Sequence, residues 1–126
     1  PRIQMSEPSI FDFIEETEQL KQPGPSTESI KAKIKQRRAQ MLIHSCIYYE
    51  LNDNIISDHK WQEWADELQL LQEQFPECCT IGFYDYNFRD WTGATGNHLP
   101  HRDPWVFRKS NQILEMVRSG KYQPGL

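Results

Sequence analysis

The feature that most constrains this chain is a pair of helical patterns that meet at a short polar elbow, residues 52–57. Before the elbow, apolar residues recur at fours and sevens, which predicts an amphipathic helix over 27–51. After it, apolar residues are spaced by three and four, which predicts a helix over 58–75. These residues are Trp61, Trp64, Leu68, Leu71 and Phe75. A connection this short favours an antiparallel helix pair.

The rest of the chain also favours a mainly α fold, and its 126 residues fit one domain with a tail. Residues 78–104 form an irregular, aromatic-rich region, in which 81–86 is either a short strand or a loop pinned by its rings. Asp103 is expected to cap a C-terminal helix that ends near residue 119. A predicted acidic helical arm and a Pro/Gly linker, residues 1–25, precede the helical domain 26–126.

Composition limits the setting in which this chain works. It contains no apolar run of the roughly 18 residues that a membrane span requires, so we expect no membrane partner. Its three cysteines are odd in number and two are adjacent, which argues against a secreted disulfide framework. We therefore expect a reducing, cytoplasmic location.

The formal net charge is -4, and the charged residues are unevenly distributed along the chain. The acidic arm is a candidate partner-binding segment, because amphipathic acidic segments can dock into grooves. Its candidate residues are Phe11, Phe13, Glu15 and Glu16. The first long helix is basic and is a candidate surface for nucleic acid or a protein partner. Its candidate residues are Lys31, Lys33, Lys35, Arg37 and Arg38. The alternative for both segments is a solvated helix face.

The elbow has the residue types of a small-molecule site. Tyr48 and Tyr49 end the first helix, while Asp58 and Trp61 begin the second. Aromatic rings supply stacking area for a planar heterocycle, and a carboxylate accepts hydrogen bonds from hydroxyl groups. Two competing roles remain open: Asp58 also suits a helix N-cap, and Trp61 also falls on the core seam. The tyrosines are expected to point to different sides of their helix.

Metal binding and catalysis have weaker support. His98, His101 and Asp103 lie close together downstream of Cys78-Cys79, but these spacings depart from those of zinc sites. A nucleophilic set built on Ser45 or Cys46 with His44 fails because sequence neighbours on a helix do not face each other. We therefore predict no metal and no catalytic residue.

Residues 40–77 resemble the N-terminal helical subdomain of bacterial NAD-dependent DNA ligases, which grips the nicotinamide mononucleotide (NMN) half of NAD. The resemblance places Tyr48 and Tyr49 on an aromatic pair and Asp58 on an acid. It places Trp61 on a tyrosine and Gln62 on a second acid, and it implies NMN or NAD as a ligand for these five residues. No Lys-x-Asp-Gly adenylation motif occurs in the chain, so we expect a binding protein rather than a ligase.

Residues 35–118 are also similar to small ligase-like proteins of phages. The similarity implies an accessory protein in the cytoplasm of a bacterial host. It rests on Ile47–Asn52, Ile55–Asp58, Trp61, Trp64, Asp90–Gly96 and Leu99–Pro100. The expected function is non-catalytic binding, with NMN or NAD as a ligand and no other cofactor. The alternatives are an anti-defence inhibitor of a host nuclease and a DNA-binding accessory of phage replication. A host or phage protein is thus the expected partner, with nucleic acid as the alternative.

Overall fold

The computed structural model describes residues 26–123. The arm residues Phe11, Phe13, Glu15 and Glu16 lie outside the described residues. Within 26–123 the secondary structure is entirely helical, which confirms the mainly α prediction. The elements are α1 (Thr27–Tyr49), α2 (Asp58–Gln74), a 3-10 helix (Pro76–Cys78) and α3 (Pro104–Arg118).

Local signals fix both ends of α1. The Ser26 hydroxyl accepts a hydrogen bond from the Ser29 N–H at 3.1 Å, the pattern of an N-cap. After Tyr49 the chain reverses at Asn52, whose φ of 54° lies in the left-handed region that asparagine tolerates. The N–H of Asp53 then bonds back to the Ile47 carbonyl at 3.1 Å. The polar elbow therefore ends the helix as its sequence predicts.

Contacts between α1 and α2 establish an antiparallel pair. Arg38 near the middle of α1 bonds Gln72 near the end of α2, while His44 lies 5.6 Å from the Trp64 ring, two turns nearer the start of α2. Partners on α2 thus run backwards as α1 advances. The predicted helix pair is correct, and it brings the end of α1 beside the start of α2.

The second half of α1 is the centre of the core. Every residue of Met41–Ile47 is buried, so this segment is enclosed on all sides rather than along one stripe. Helix α3 covers one side: the Ser110 hydroxyl donates to the Ile43 carbonyl at 3.3 Å, and Leu114 packs with Ile43 and Ile47. Apart from His44 and Ser45 this segment is apolar on every face, which is typical of a buried helix.

Residues 79–103 are a series of bends and turns, which settles the alternative of strand or loop in favour of a loop. The Trp91 indole N–H donates to the Ala65 carbonyl at 3.0 Å and fastens this loop to α2. Asp103 is the N-cap residue of α3 as predicted, but its carboxylate makes no capping bond and accepts from the Tyr84 hydroxyl instead. Burial, together with this carboxylate, raises the pKa of Tyr84.

Arg38 departs most clearly from its predicted surface role. Its side chain is 1% exposed, and its guanidinium donates to the Gln72 amide oxygen and the Asp85 carboxylate at 2.9 and 2.6 Å. It also donates to the carbonyls of Phe83 and Cys79, each at 2.9 Å. Arg38 therefore joins the loop to the helix pair from inside and is not available to nucleic acid.

The Arg38–Asp85 pair predicts acid sensitivity. Burial opposes ionisation of Asp85, but hydrogen bonds from Arg38 and from the N–H groups of Gly82 and Ile81 hold the pKa of this carboxyl below its ordinary value. The folded state therefore binds fewer protons than the unfolded state. Stability from this pair is present above about pH 4 and is lost as pH falls through the folded pKa.

We expect urea midpoints measured from pH 7 to pH 2 to fall less steeply for Asp85→Asn than for the wild type. The exposed Asp90 of the same loop provides a matched control, since Asp90→Asn should follow the wild-type curve. Parallel curves for the wild type and Asp85→Asn would contradict this assignment.

Candidate ligand-binding site

A cleft of about 250 Å³ opens at the elbow and is lined by three segments: the end of α1, the elbow with the start of α2, and the turn 94–96. All five residues of the predicted ligand site line this elbow cleft. They are Tyr48, Tyr49, Asp58, Trp61 and Gln62. The helix pair therefore gathers around one concave surface the residues that sequence reasoning singled out.

The two alternatives for Asp58 are separated by its neighbour. Ser57 is the N-cap of α2, and its hydroxyl accepts from the Lys60 N–H at 3.0 Å. Asp58 is the first helical residue and is exposed at the rim of the cleft. A carboxylate at a helix N-terminus is favoured by the helix dipole. Because Ser57 does the capping, the Asp58 carboxylate can accept hydrogen bonds from a ligand.

The tyrosines form an open aromatic wall. Tyr48 and Tyr49 are 55% and 43% exposed, so neither belongs to the core. The expectation that they point apart is wrong, because their rings meet edge to face with centroids 4.9 Å apart. Tyr49 also stacks on His101 at 5.3 Å, and its hydroxyl lies 3.3 Å from the Thr95 hydroxyl. His101 and Thr95 thus hold Tyr49 in place, while the Tyr48 ring stays accessible to a ligand.

Trp61 and Gln62 have different roles in the cleft. Trp61 is half-buried and packs its edge against the buried Trp91, with centroids 6.2 Å apart, and it also lines the cleft, so it combines the two roles that were left open. Gln62 donates from its amide nitrogen to the Asp66 carboxylate and the Gly93 carbonyl, both at 2.9 Å. Trp61 thus offers a ring surface to the cleft, and Gln62 ties the turn to α2.

The floor consists of two residues that sequence reasoning weighed only as a catalytic set. His44 and Ser45 are buried, and both line the cleft. Burial lowers the pKa of His44 to about 4, so the imidazole is neutral at physiological pH. The sequence did contain a signal for this role. His44 and Ser45 lie one helical turn before Tyr48 and Tyr49, so the four residues share one face of α1.

The turn at Thr95 and Gly96 is the third segment that lines the cleft. A Cβ placed on Gly96 would lie 2.1 Å from the Ser45 hydroxyl and 3.2 Å from Trp61 Cζ2. Only a residue without a side chain lets the backbone pass this close to the floor. The Gly- and Thr-rich sequence of 92–96 predicted a turn, but its position over the elbow comes from tertiary packing.

The histidines near the C-terminal helix do not form a metal site. His101 is buried, with Nε2 2.8 Å from the Gly96 carbonyl and Nδ1 3.6 Å from the Glu50 carboxylate. His98 is exposed beside the Trp91 ring. Within residues 26–123, no cluster of three or more His, Cys, Asp or Glu side chains has a geometry that could hold a metal ion. His101 instead supports the turn and the tyrosine wall.

A second hollow of about 460 Å³ lies where the loop meets α2. Among its lining residues, Gln72 and Asp85 each accept a hydrogen bond from Arg38, and Gln72 also donates to the Phe88 carbonyl. These groups are already satisfied by the protein. The hollow is therefore a structural junction, and the elbow cleft is the stronger candidate site.

Comparison with known proteins supports the same assignment. The family model described as DNA ligase-like, N-terminal NAD+-binding domain, matches residues 27–82. The matched segment holds both helices of the pair and all five predicted ligand residues, and it ends before the turn that completes the cleft. This confirms the resemblance to the NMN-binding subdomain of NAD-dependent ligases.

The match covers the binding domain and does not extend to a catalytic adenylation domain. No curated protein and no solved structure matches the chain. Across the described residues, every helix is too short or too polar to cross a membrane. Fold and cleft together define a helical domain similar to the NAD+-binding part of DNA ligases.

Proposed function

We propose that this protein binds a nicotinamide-like nucleoside or mononucleotide in the elbow cleft and has no ligase activity of its own. The observation that carries the proposal is the convergence of Tyr48, Tyr49, Asp58 and Trp61 on one open cleft. The match of residues 27–82 to an NAD+-binding domain model supports it independently.

The aromatic wall of Tyr48 and Tyr49, together with Asp58 at the rim of the cleft, suits a planar ring attached to a sugar. A heterocycle that stacks on Tyr48 or Trp61 gains about 0.5–1.5 kcal/mol beyond area burial for each aromatic contact. A positively charged pyridinium gains further from the ring faces and from the nearby Asp58 carboxylate. The same carboxylate accepts hydrogen bonds from the sugar hydroxyls.

The size and charge of the cleft restrict the class of ligand further. A volume of about 250 Å³ lies below the roughly 300–1,000 Å³ of sites for drug-sized ligands, so we expect the cleft to enclose one ring with its sugar rather than a whole dinucleotide. Neither Lys nor Arg occurs among the described residues that line the cleft. A phosphate group would therefore find no cation there, and we expect NMN and nicotinamide riboside to bind about equally.

Calorimetric titration with NMN, nicotinamide riboside, NAD and AMP tests the proposal. Asp58→Asn is expected to weaken binding of the riboside about tenfold, the effect of losing a charge-assisted hydrogen bond of about 1.5 kcal/mol. Glu63→Gln is the matched control, because Glu63 is an exposed carboxylate of α2 that pairs with Lys60. No heat from any of the four compounds at millimolar concentration would overturn the proposal.

The setting proposed for this binding is an accessory protein of a phage, with a host or phage protein as partner, supported by the similarity of residues 35–118. Inhibition of a host nuclease remains the alternative. DNA binding has less support, because Arg38 is buried and Arg37 pairs with Glu67 at 2.8 Å. Lys31, Lys33 and Lys35 are the remaining basic candidates, and a mobility-shift assay at low salt would test them.

A further inference from the structure

The accessible surface of the elbow cleft combines aromatic rings with a carboxylate. Tyr48 and Tyr49 are 55% and 43% exposed, and their rings stand at 89° to each other with centroids 4.9 Å apart. Trp61 is half-buried and lines the cleft from α2. Ring faces attract cations, because the π-system is negative there. Rings set at an angle to one another and open to water can surround a small cation, as the aromatic cages for quaternary ammonium ligands do.

The charge around the cleft is negative. Asp58 carries the formal charge among the described residues that line the cleft, and within 26–123 it makes no ion pair. Three basic side chains that reach the elbow or its flanking turns are already paired with other carboxylates. The pairs are Lys60 with Glu63 at 3.2 Å, Arg118 with Asp53 at 2.8 Å and Arg102 with Glu50 at 3.0 Å. The positive end of the α2 dipole amounts to about half a charge, so the Asp58 carboxylate outweighs it. A cation in the cleft is therefore attracted by the rings and by Asp58 together.

We infer that the elbow cleft selects its ligand by a permanent positive charge. It binds quaternary ammonium ions as well as pyridinium ions that carry a sugar on the ring nitrogen, and it discriminates against neutral molecules of the same shape. The rings and the carboxylate respond to charge rather than to one particular heterocycle. This inference rests on the proposed function, because it concerns the same cleft, and it adds the property of the ligand that the cleft selects.

The closing experiment compares nicotinamide riboside with benzamide riboside by calorimetry. The two compounds share the carboxamide, the sugar and the ring size, but in benzamide riboside a neutral carbon replaces the charged ring nitrogen. We expect nicotinamide riboside to bind at least about fivefold more tightly, the effect of an exposed cation–π contact. Choline should compete with it at millimolar concentration, while the neutral carbon analogue of choline should not.

Two variants remove the groups that attract the charge. Tyr48→Leu removes a ring but keeps apolar area, so it should reduce the preference for the charged riboside. Asp58→Asn should also reduce it, because hydrogen bonds to the sugar are common to both ribosides and the charged one alone loses an ionic contact. Both residues are exposed, so the melting temperature should stay close to that of the wild type. Tyr86→Leu is the matched control and should keep the wild-type preference, because Tyr86 is 75% exposed and does not line the cleft.

The outcomes separate the two proposals. Equal wild-type affinity for the two ribosides, or no difference between choline and its neutral analogue, would overturn selection by charge and leave the binding function standing. A preference that survives unchanged in both Tyr48→Leu and Asp58→Asn would overturn it as well. Absence of binding by either riboside and by NMN would overturn both proposals.

Discussion

Replacing Arg38 with alanine is expected to lower the free energy of unfolding by about 3 kcal/mol. The change leaves the Asp85 carboxylate without its partner and removes donors from two backbone carbonyls, those of Phe83 and Cys79. Breaking a buried ion pair costs about 3–5 kcal/mol, and the lower figure applies because the Asp85 side chain keeps 33% exposure. Urea denaturation at pH 7 measures the effect.

Arg37→Ala provides the control for this prediction. Arg37 is the preceding residue of α1 and also pairs with α2, through Glu67, but both side chains keep contact with water. Such pairs contribute at most about 1 kcal/mol. Similar losses in the two variants would show that the four bonds of Arg38 have no special weight in joining the loop to the helix pair.

Replacing Gly96 with alanine is expected to abolish ligand binding and to destabilise the fold by about 1–3 kcal/mol, as overpacking does. The new methyl group would lie 2.1 Å from the Ser45 hydroxyl and 3.0 Å from Ser45 Cβ. The turn or the floor must therefore move, and either movement alters the cleft. Thermal melting and riboside titration measure the two effects.

A double variant gives the sharper test of this contact. Ser45→Ala removes the hydroxyl that meets the new methyl group, so Gly96→Ala should cost less stability in that background than in the wild type. Coupled neighbours depart from additivity by about 0.5–3 kcal/mol. Additive losses would show that Gly96 and Ser45 do not meet as described.

The periodicity of the apolar residues was sufficient to predict both helices of the pair. The predicted spans 27–51 and 58–75 correspond to α1 at Thr27–Tyr49 and α2 at Asp58–Gln74. Spacing by threes and fours is a local consequence of helix geometry, and the turn residues of the elbow act within a few positions of the chain. The same locality explains why an N-cap at the start of α2 could be foreseen, although Ser57 takes that role rather than Asp58.

Contact with a distant segment decided three roles that local sequence could not foresee. Arg38 was predicted on the surface because arginine is rarely buried, yet residues 79–85 bring it a carboxylate and two carbonyls. Asp103 is the N-cap residue as predicted, but its carboxylate accepts a hydrogen bond from Tyr84 rather than from the first turn of α3. Trp61 lies on the apolar seam and packs against Trp91, and the nearby turn at Gly96 makes it part of the cleft lining as well.

The sequence by itself determined the helix pair, the polar elbow and the tyrosine–aspartate set that lines it, because each depends on neighbours in the chain. Tertiary structure alone decided that the turn 94–96 closes a third wall over the floor of His44 and Ser45. Residues half the chain apart meet there through the burial of Trp91 and its bond to Ala65. No periodicity or local motif encodes that meeting, since it depends on packing of the whole core.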